Sequence, residues 1–312
     1  YFDNLGIETK ELEFFISQGV FVDSRKTAKK YNLDKVRVDI LKPLTKKPCP
    51  FVLYFTANSE MPYTFYQKYK KNIKQLLKNN IACVIIKYNA KKLEETYYQV
   101  KYSIQHLKFF SKAYNIDPTK MGLIGLSLGG QMSFLFSQYS DKRLKKLETL
   151  MNLDNTPFLI DTNVRILVLI DTQIHMDCRK YIESIKQDEN YISDKLNNQM
   201  VKDCNEFLND WFNVHHSELN TGCNKKLLEL THLINFFNDN QANVPIYILN
   251  EYKHDKNKHK LSNYNNKELI IHSPVFSKII YDKAKNKNII VEGRVPSMNI
   301  SSCMNFSEFI IK

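Results

Sequence analysis

The sequence of 312 residues lacks several features that assign a function quickly. No apolar run approaches the ~18–20 residues that cross a lipid bilayer, so we expect a protein that is soluble or peripheral to a membrane. No C-x-x-C motif occurs, and none of the six cysteines lies in a Cys/His cluster with zinc-ligand spacing. We therefore expect neither a metal nor a cofactor.

Arginine is scarce relative to lysine, although the formal net charge is +12. Lysine alternates with asparagine through much of the chain, as in NKHKLSNYNNKE at 257–268. This compositional bias argues against a nucleic-acid site, where clustered arginines and a known motif are expected. An anionic membrane surface is the partner that the positive charge leaves open. The sequence does not predict a compartment.

Apolar runs that alternate with helical patterns predict an α/β protein with a mostly parallel sheet. Residues 50–58 and 81–89 are near-continuous apolar runs, typical of strands covered on both faces, and 62–80 between them has helical periodicity. Further strands are predicted at 35–43, 118–127, 161–172, 244–252 and 286–293.

A change of composition divides the second half of the chain. Residues 176–243 are polar, asparagine-rich and helical in pattern, and they contain the single tryptophan, Trp211. The segment is predicted to be a lid-like insertion between two late strands of the core sheet. The alternative is an insertion without a function.

The stretch KMGLIGLSLGGQ at 120–131 has the pattern of a buried strand, a tight turn and a helix. Gly125, Ser127 and Gly129 stand at the spacing G-x-S-x-G, which is that of a nucleophile elbow, a tight turn between a strand and a helix. In such a turn the serine hydroxyl projects from the sheet, and the next backbone N–H can face a developing oxyanion. The pattern predicts that Ser127 is a nucleophile.

Four stretches carry a resemblance to a known family: FVDSRKTAKKYNLDKVRVDILKP, PFVLYFTANSEMPYTFY, GLSLGG and SSCMNFSEF. In this order they resemble the platelet-activating-factor acetylhydrolase family, serine esterases that act on short or oxidised acyl groups of phospholipids. The resemblance, which spans most of the chain outside 176–243, implies a single α/β-hydrolase domain over 1–312 with a central sheet flanked by helices.

The resemblance also implies roles for individual residues. Ser127 is the nucleophile, and the backbone N–H groups of Ser59 and Leu128 form the oxyanion hole. Asp171, at the end of the strand after the elbow helix, is the acid that orients the base.

Two other aspartates remain open as the acid. Asp154 lies closer to the serine in sequence, but it requires 147–154 to form a strand although that stretch has a helical pattern. Asp255 suits the commoner hydrolase arrangement, in which the acid follows the next strand.

The catalytic base is the main departure from the family pattern. Aligned on NFSEF, the position of the family's histidine falls on Cys303. A neutral thiol accepts protons poorly, and a thiolate would place a negative charge beside the acid. Of the eight histidines, His272 is the best substitute because it closes a short, strand-like apolar run late in the chain. His175, close behind Asp171, is the second choice.

Two functions are therefore predicted. The first is a serine ester hydrolase that acts on a small ester or a phospholipid through an acyl-enzyme on Ser127. The alternative is a catalytically impaired homologue that binds a lipid or a protein through the former active-site cleft. The intact elbow favours the hydrolase, whereas the substitution at Cys303 favours the impaired homologue.

Overall fold

The computed structural model describes residues 14–20, 26–55, 62–88, 91–158, 160–186, 194–212, 218–237, 243–252 and 270–312. Its strands are β1 (Phe14–Val20), β2 (Arg37–Pro43), β3 (Cys49–Phe55), β4 (Ala82–Lys87), β5 (Ile116–Leu126), β6 (Ile166–Ile170), β7 (Ile246–Leu249), β8 (Val291–Val295) and β9 (Ile300–Ser301). Its α-helices are α1 (Lys26–Lys30), α2 (Pro62–Lys78), α3 (Leu93–Phe109), α4 (Ser111–Tyr114), α5 (Leu128–Gln138), α6 (Asp141–Leu150), α7 (Arg179–Lys186), α8 (Asp194–Phe212), α9 (Gly222–Thr231), α10 (Leu233–Phe236), α11 (Pro274–Asn286) and α12 (Phe306–Ile311).

The strands form one sheet in the order β1-β2-β4-β3-β5-β6-β7-β8-β9. The pairs β1–β2, β2–β4 and β8–β9 are antiparallel, whereas all pairs between β4 and β8 are parallel. The predicted mostly parallel α/β sheet is confirmed. Because β5, β6 and β7 are parallel neighbours, the residues that follow them meet at one edge of the sheet.

Helices cover both faces of the sheet. Along β3 the side chains alternate, so that Phe51, Leu53 and Phe55 enter one core and Val52 and Tyr54 the other. The first core also contains buried side chains of α3, α5 and α11, and the second contains those of α2 and α12. Burial on both faces explains why the central strands are near-continuous apolar runs.

The predicted strands differ from the observed ones at several boundaries. β6 is limited to 166–170, and β8 begins only at Val291 because α11 continues to Asn286. The strand-like interpretation of the run before His272 is wrong, since residues 270–271 are helical. A short apolar run fits a helix as well as a strand. Helix α11 begins separately after Ser273, whose Oγ accepts a hydrogen bond from the Val275 N–H at 3.3 Å, with Pro274 in the first turn.

Between β6 and β7 the described residues form helices α7 to α10, within the segment predicted as a lid-like insertion. α8 packs against α7 and α3. Its residues Met200, Cys204, Leu208 and Trp211 are buried, at the spacing of one helix face. Among the described residues, no helix is long and apolar enough to cross a membrane.

Candidate active site

Ser127 occupies a sharp turn between β5 and α5. Its φ of +54° and ψ of −121° lie outside the regions that a non-glycine residue ordinarily adopts. The neighbouring structure holds the turn in place, because the Ser127 N–H donates to Ile170 O at 2.9 Å and Ser127 O accepts from the Gly130 N–H at 2.9 Å. The serine hydroxyl is thereby projected from the sheet edge at which β5 and β6 end.

Two glycines allow the close contacts around this turn. A Cβ atom on Gly125 would lie 2.3 Å from Gly129 O, and one on Gly130 would lie 1.9 Å from Thr172 Oγ1. Neither contact is sterically tolerable, so strand β5, helix α5 and the segment after β6 can approach only with glycine at both positions. Gly125 therefore serves the purpose that the motif predicts for it.

Two side chains contact the Ser127 hydroxyl among the residues that the structure describes. His272 Nε2 lies 2.9 Å from Ser127 Oγ, and Gln173 Nε2 donates to the same oxygen at 2.9 Å. The structure thus brings His272, the substitute base predicted from the sequence, into hydrogen-bond reach of the predicted nucleophile. Gln173 was not predicted.

His272 reaches the serine from the connection between β7 and β8. Asn250, which is fully buried at the end of β7, donates through Nδ2 to His272 O at 3.1 Å and to Ser277 Oγ at 3.2 Å. The Tyr252 ring stacks on the imidazole with 5.1 Å between centroids and an interplanar angle of 17°. These contacts fix the histidine's backbone from one side and its ring from another.

Cys303, the position of the family's histidine, lies beyond β8 and β9. The residue is exposed, and its neighbour Ser302 donates a backbone hydrogen bond to Gly293 O at 2.8 Å. Cys303 is not one of the two residues whose side chains contact Ser127 Oγ in the described part of the chain.

Asp171 lies beside the elbow at the end of β6. β5 and β6 pair in the register Leu126 with Ile170, so Ser127 and Asp171 leave the sheet side by side. Asp171 is only 3% exposed and has a φ of +48°. Its Oδ1 accepts a hydrogen bond from the Glu251 N–H at 3.2 Å. Of the predicted acids, it is the one that the described structure brings to the edge carrying the elbow.

The ammonium group of Lys68 lies close to two carboxylates, those of Glu251 and Asp171. Lys68 Nζ lies 2.9 Å from Glu251 Oε2 and 4.0 Å from Asp171 Oδ2. An ammonium group at this distance attracts the carboxylate of Asp171, as a histidine proton would. The Asp171 carboxylate therefore interacts with Lys68 as well as with the backbone N–H of Glu251, which follows β7.

Of the two rival acids, Asp154 is described and lies away from this arrangement. Asp154 follows α6, so 147–154 does not form the strand that its role requires, and its Oδ2 pairs with Lys30 Nζ at 3.0 Å. Asp255 lies outside the described residues.

The predicted oxyanion donors are described only in part. Leu128 is the first residue of α5, where a backbone N–H has no acceptor within the helix and lies at the positive end of the helix dipole. Its N–H is therefore suited to an oxyanion that forms next to Ser127. Ser59 lies outside the described residues.

The second-choice base, His175, is bound elsewhere. Its Nε2 lies 3.1 Å from Ser184 Oγ, and its ring packs on His232 with 3.9 Å between centroids. Burial, followed by the nearby charge of His232, lowers the pKa of His175 to about 2. His175 is a neutral structural residue in this fold.

A pocket of about 270 Å³ adjoins Ser127 and Leu128. Helix α8 and the segment after β6 form most of its wall, and the apolar lining residues are Met176, Tyr181, Met200, Phe207 and Ile271. Cys178 and Cys204 also line it, and their mutual contact together with burial raises the pKa of the Cys178 thiol. A larger cavity of about 800 Å³ lies elsewhere, around Lys108 and Asp161.

The described residues contain no group of three or more His, Cys, Asp and Glu side chains placed to hold a metal ion. The chemistry available around Ser127 is that of a hydroxyl, an imidazole, an amide and backbone N–H groups. This set can activate an oxygen nucleophile and stabilise an oxyanion.

Solved structures of several esterases are similar in fold. An esterase from Rhizomucor miehei is 14% identical with a TM-score of 0.52 over 96% of this chain and 81% of that one. Carboxyl esterase 2 from Tuber melanosporum is 14% identical, with a TM-score of 0.51 over 90% and 75%. Est2 from Thermogutta terrifontis is 12% identical, with a TM-score of 0.53 over 92% and 81%. The predicted α/β-hydrolase fold is confirmed.

Sequence comparison is more specific about the family. No curated protein matches the chain. The model of the BD-FAE family matches residues 38–216, which is more than half of the chain and includes the elbow and Asp171. The chain therefore belongs to the BD-FAE family of the α/β-hydrolase fold.

Proposed function

We propose that the protein is a carboxylic ester hydrolase that forms an acyl-enzyme on Ser127. The observation that carries the proposal is the 2.9 Å separation between Ser127 Oγ and His272 Nε2 at a strained strand-to-helix turn. A hydroxyl within hydrogen-bond reach of an imidazole is the geometry of an activated nucleophile. The esterases with the same fold support the same reaction class.

In the proposed reaction, Ser127 Oγ attacks the ester carbonyl while its proton passes to His272 Nε2. The π electrons of the carbonyl move to its oxygen, which accepts hydrogen bonds from the N–H of Leu128 and, as the family resemblance implies, of Ser59. His272 then protonates the departing alcohol. A water molecule then attacks the acyl carbon while its proton passes to His272 Nε2. As the bond between the acyl carbon and Ser127 Oγ breaks, His272 returns this proton to Oγ and the acid is released.

Asp171 has the role of the acid in this proposal. Its carboxylate lies at the sheet edge that carries Ser127, and negative charge there stabilises the imidazolium that forms when His272 takes the proton. The chain order Ser127, Asp171, His272 is also the order of the α/β-hydrolase triad.

The pocket favours an ester with a small apolar group. A volume of about 270 Å³ lies below the 300–1,000 Å³ range of drug-sized ligand sites, and its walls are mostly apolar. Structures of Est2 from Thermogutta terrifontis include butyrate- and propionate-bound forms. The resemblance to platelet-activating-factor acetylhydrolases extends the proposal to phospholipids with a short acyl chain.

A second candidate is the catalytically impaired homologue that binds a lipid or a protein. The observation in its favour is Lys68, whose ammonium lies 4.0 Å from Asp171 Oδ2 and competes with an imidazolium for that carboxylate. In this alternative the pocket binds its ligand and the hydroxyl does not react.

A fluorophosphonate probe separates the two candidates because it labels only an activated serine. We expect labelling of the wild type that is lost in Ser127→Ala, together with turnover of p-nitrophenyl butyrate that is lost in the same variant. Ser133→Ala, which removes a buried hydroxyl from α5, is the matched control and should keep both activities. A folded wild type that is neither labelled nor active would contradict the hydrolase.

Contact with an anionic membrane is a separate part of the proposal. The net charge of +12 favours it, and Val201 and Phe207 of α8 are each 43% exposed on the helix that lines the pocket. Sedimentation with vesicles that contain phosphatidylserine should decrease as salt is raised. Binding that does not depend on salt would contradict an electrostatic contribution.

A further inference from the structure

Gln173 contacts the proposed nucleophile directly. It follows Asp171 and Thr172 after β6, is 3% exposed and donates through Nε2 to Ser127 Oγ at 2.9 Å. Its backbone is fixed by close packing, since Thr172 lies against Gly130 of α5 and donates from its hydroxyl to Ile170 O at 3.2 Å. Burying a polar group costs free energy unless it is hydrogen-bonded. The Gln173 amide is buried, and the partner of its nitrogen is the hydroxyl of the proposed nucleophile.

The two contacts of Ser127 Oγ restrict the position of the hydroxyl proton. A serine hydroxyl has one proton to donate and two lone pairs that accept. The amide nitrogen of Gln173 can only donate, so it occupies a lone pair. The hydroxyl proton is then available for the other contact, which is His272 Nε2 at 2.9 Å. To accept it, the neutral imidazole must carry its own proton on Nδ1.

We propose that Gln173 is a further catalytic residue, one that directs the Ser127 proton to His272 and stabilises the oxygen as that proton leaves. The inference rests on the proposed ester hydrolysis. As the Oγ–carbon bond forms and the Oγ–H bond breaks, the proton moves to His272 Nε2 and negative charge builds on the substrate's carbonyl oxygen. Until the new bond is complete, Oγ has alkoxide character, and the hydrogen bond from Gln173 to it becomes charge-assisted.

The orientation of the Gln173 amide therefore determines whether the Ser127 hydroxyl donates its proton to His272. With Oε1 in place of Nε2, the side chain would accept from the hydroxyl and remove its proton from His272. Gln173→Glu reproduces this change in nearly the same shape. An ionised glutamate can only accept, whereas a protonated one can donate to Oγ as the amide does. Burial raises the pKa of a carboxyl group at this 3% exposed position. The side chain of the variant therefore accepts from Oγ at pH 8 and gains the ability to donate to it as the pH falls.

The test is the second-order rate constant for labelling by a small fluorophosphonate, measured between pH 5.5 and 8.5. We expect Gln173→Met, which keeps the size and removes the donor, to be roughly 3–15-fold slower at every pH, the effect of one hydrogen bond. Gln173→Glu should be on the order of 10²-fold slower at pH 8, as for the loss of one oxyanion donor, and the deficit should shrink as pH falls.

Gln138→Met is the matched control. Gln138 is also a buried glutamine, its Nε2 donates to Val244 O at 3.0 Å, and it does not line the pocket beside Ser127. It should lose stability without a change in labelling rate, and circular dichroism establishes that each variant is folded. Equal deficits of Gln173→Met and Gln173→Glu at every pH would overturn the proposal, as would a wild-type rate in both. If the wild type itself is not labelled, the proposed function fails instead.

Discussion

Asn250 provides a quantitative test of how the fold positions His272. Its side chain makes three hydrogen bonds in a site with no solvent exposure: Nδ2 donates to His272 O at 3.1 Å and to Ser277 Oγ at 3.2 Å, and Oδ1 accepts from the Tyr252 N–H at 3.0 Å. Asn250→Ala removes all three and leaves buried polar groups unpaired. At about 1 kcal/mol for each, with a further cost for the unpaired groups, the free energy of unfolding should fall by roughly 2–4 kcal/mol.

The same change should affect catalysis through position alone. Asn250 is not in contact with Ser127, but it holds the backbone of the histidine that is. A displacement of about 1 Å in a catalytic group costs roughly 10²-fold in rate. We therefore expect fluorophosphonate labelling of folded Asn250→Ala to be slower by about that factor.

Urea unfolding measures the first quantity and the labelling rate measures the second. Ser277→Ala is the control, because it removes one of the three hydrogen bonds and leaves the one to His272. It should lose about 1 kcal/mol of stability and label within twofold of the wild type. Wild-type labelling by a folded Asn250→Ala protein would refute the positioning of His272 by β7, and so would an equal loss in Ser277→Ala.

Three further predictions concern the buried histidines, the pocket and the vesicle contact. Burial, as the largest cause, lowers the pKa of His175 to about 2 and that of His232 to about 4, so below pH ~6.5 the unfolded chain takes up protons that the folded chain does not. The free energy of unfolding should fall by about 2 kcal/mol per histidine between pH 7.5 and 5. Urea unfolding of His175→Gln should show a weaker decrease over the same range. A wild-type free energy of unfolding that does not change with pH would contradict the lowered pKa values of the two histidines. Cys204→Phe narrows the pocket and should therefore disfavour long acyl chains. The kcat/KM for p-nitrophenyl acetate divided by that for p-nitrophenyl octanoate should rise roughly tenfold, which is equivalent to about two buried methylenes. An unchanged ratio would show that the acyl group binds elsewhere. Phe207→Ser should weaken vesicle binding, and unchanged binding would exclude this face of α8 as the contact.

The central part of the fold could be predicted from local patterns. The near-continuous apolar runs of β3 and β4 follow from burial on both faces of the sheet. The edges were harder to predict, because β1 and the two-residue β9 are held by pairing with β2 and β8. The run before His272 was misinterpreted because its short apolar pattern fits a strand and a helix equally well, and its described residues 270–271 are helical.

Some residues of the candidate site could likewise be predicted from local patterns, whereas others depend on the tertiary fold. Ser127 is visible because the elbow needs residues at fixed local spacing, and Gly125 would clash with Gly129 O if it had a side chain. Gln173, Asn250 and Tyr252 belong to no sequence pattern. Gln173 contacts Ser127 across 46 positions through the register of β5 and β6, and Asn250 contacts His272 across 22 positions through the path of the connection after β7. The family alignment placed the base at Cys303, whereas the structure brings a histidine to the serine from the preceding connection.

The most direct test of the account compares His272→Gln with Cys303→Ala in the rate of fluorophosphonate labelling at pH 8. Both variants should be folded by circular dichroism, since His272 is half-buried and Cys303 is exposed. We expect a loss of about 10³-fold or more for His272→Gln, because the base of the serine nucleophile is removed, and a rate within twofold of the wild type for Cys303→Ala. A wild-type rate in His272→Gln, or a loss confined to Cys303→Ala, would contradict it.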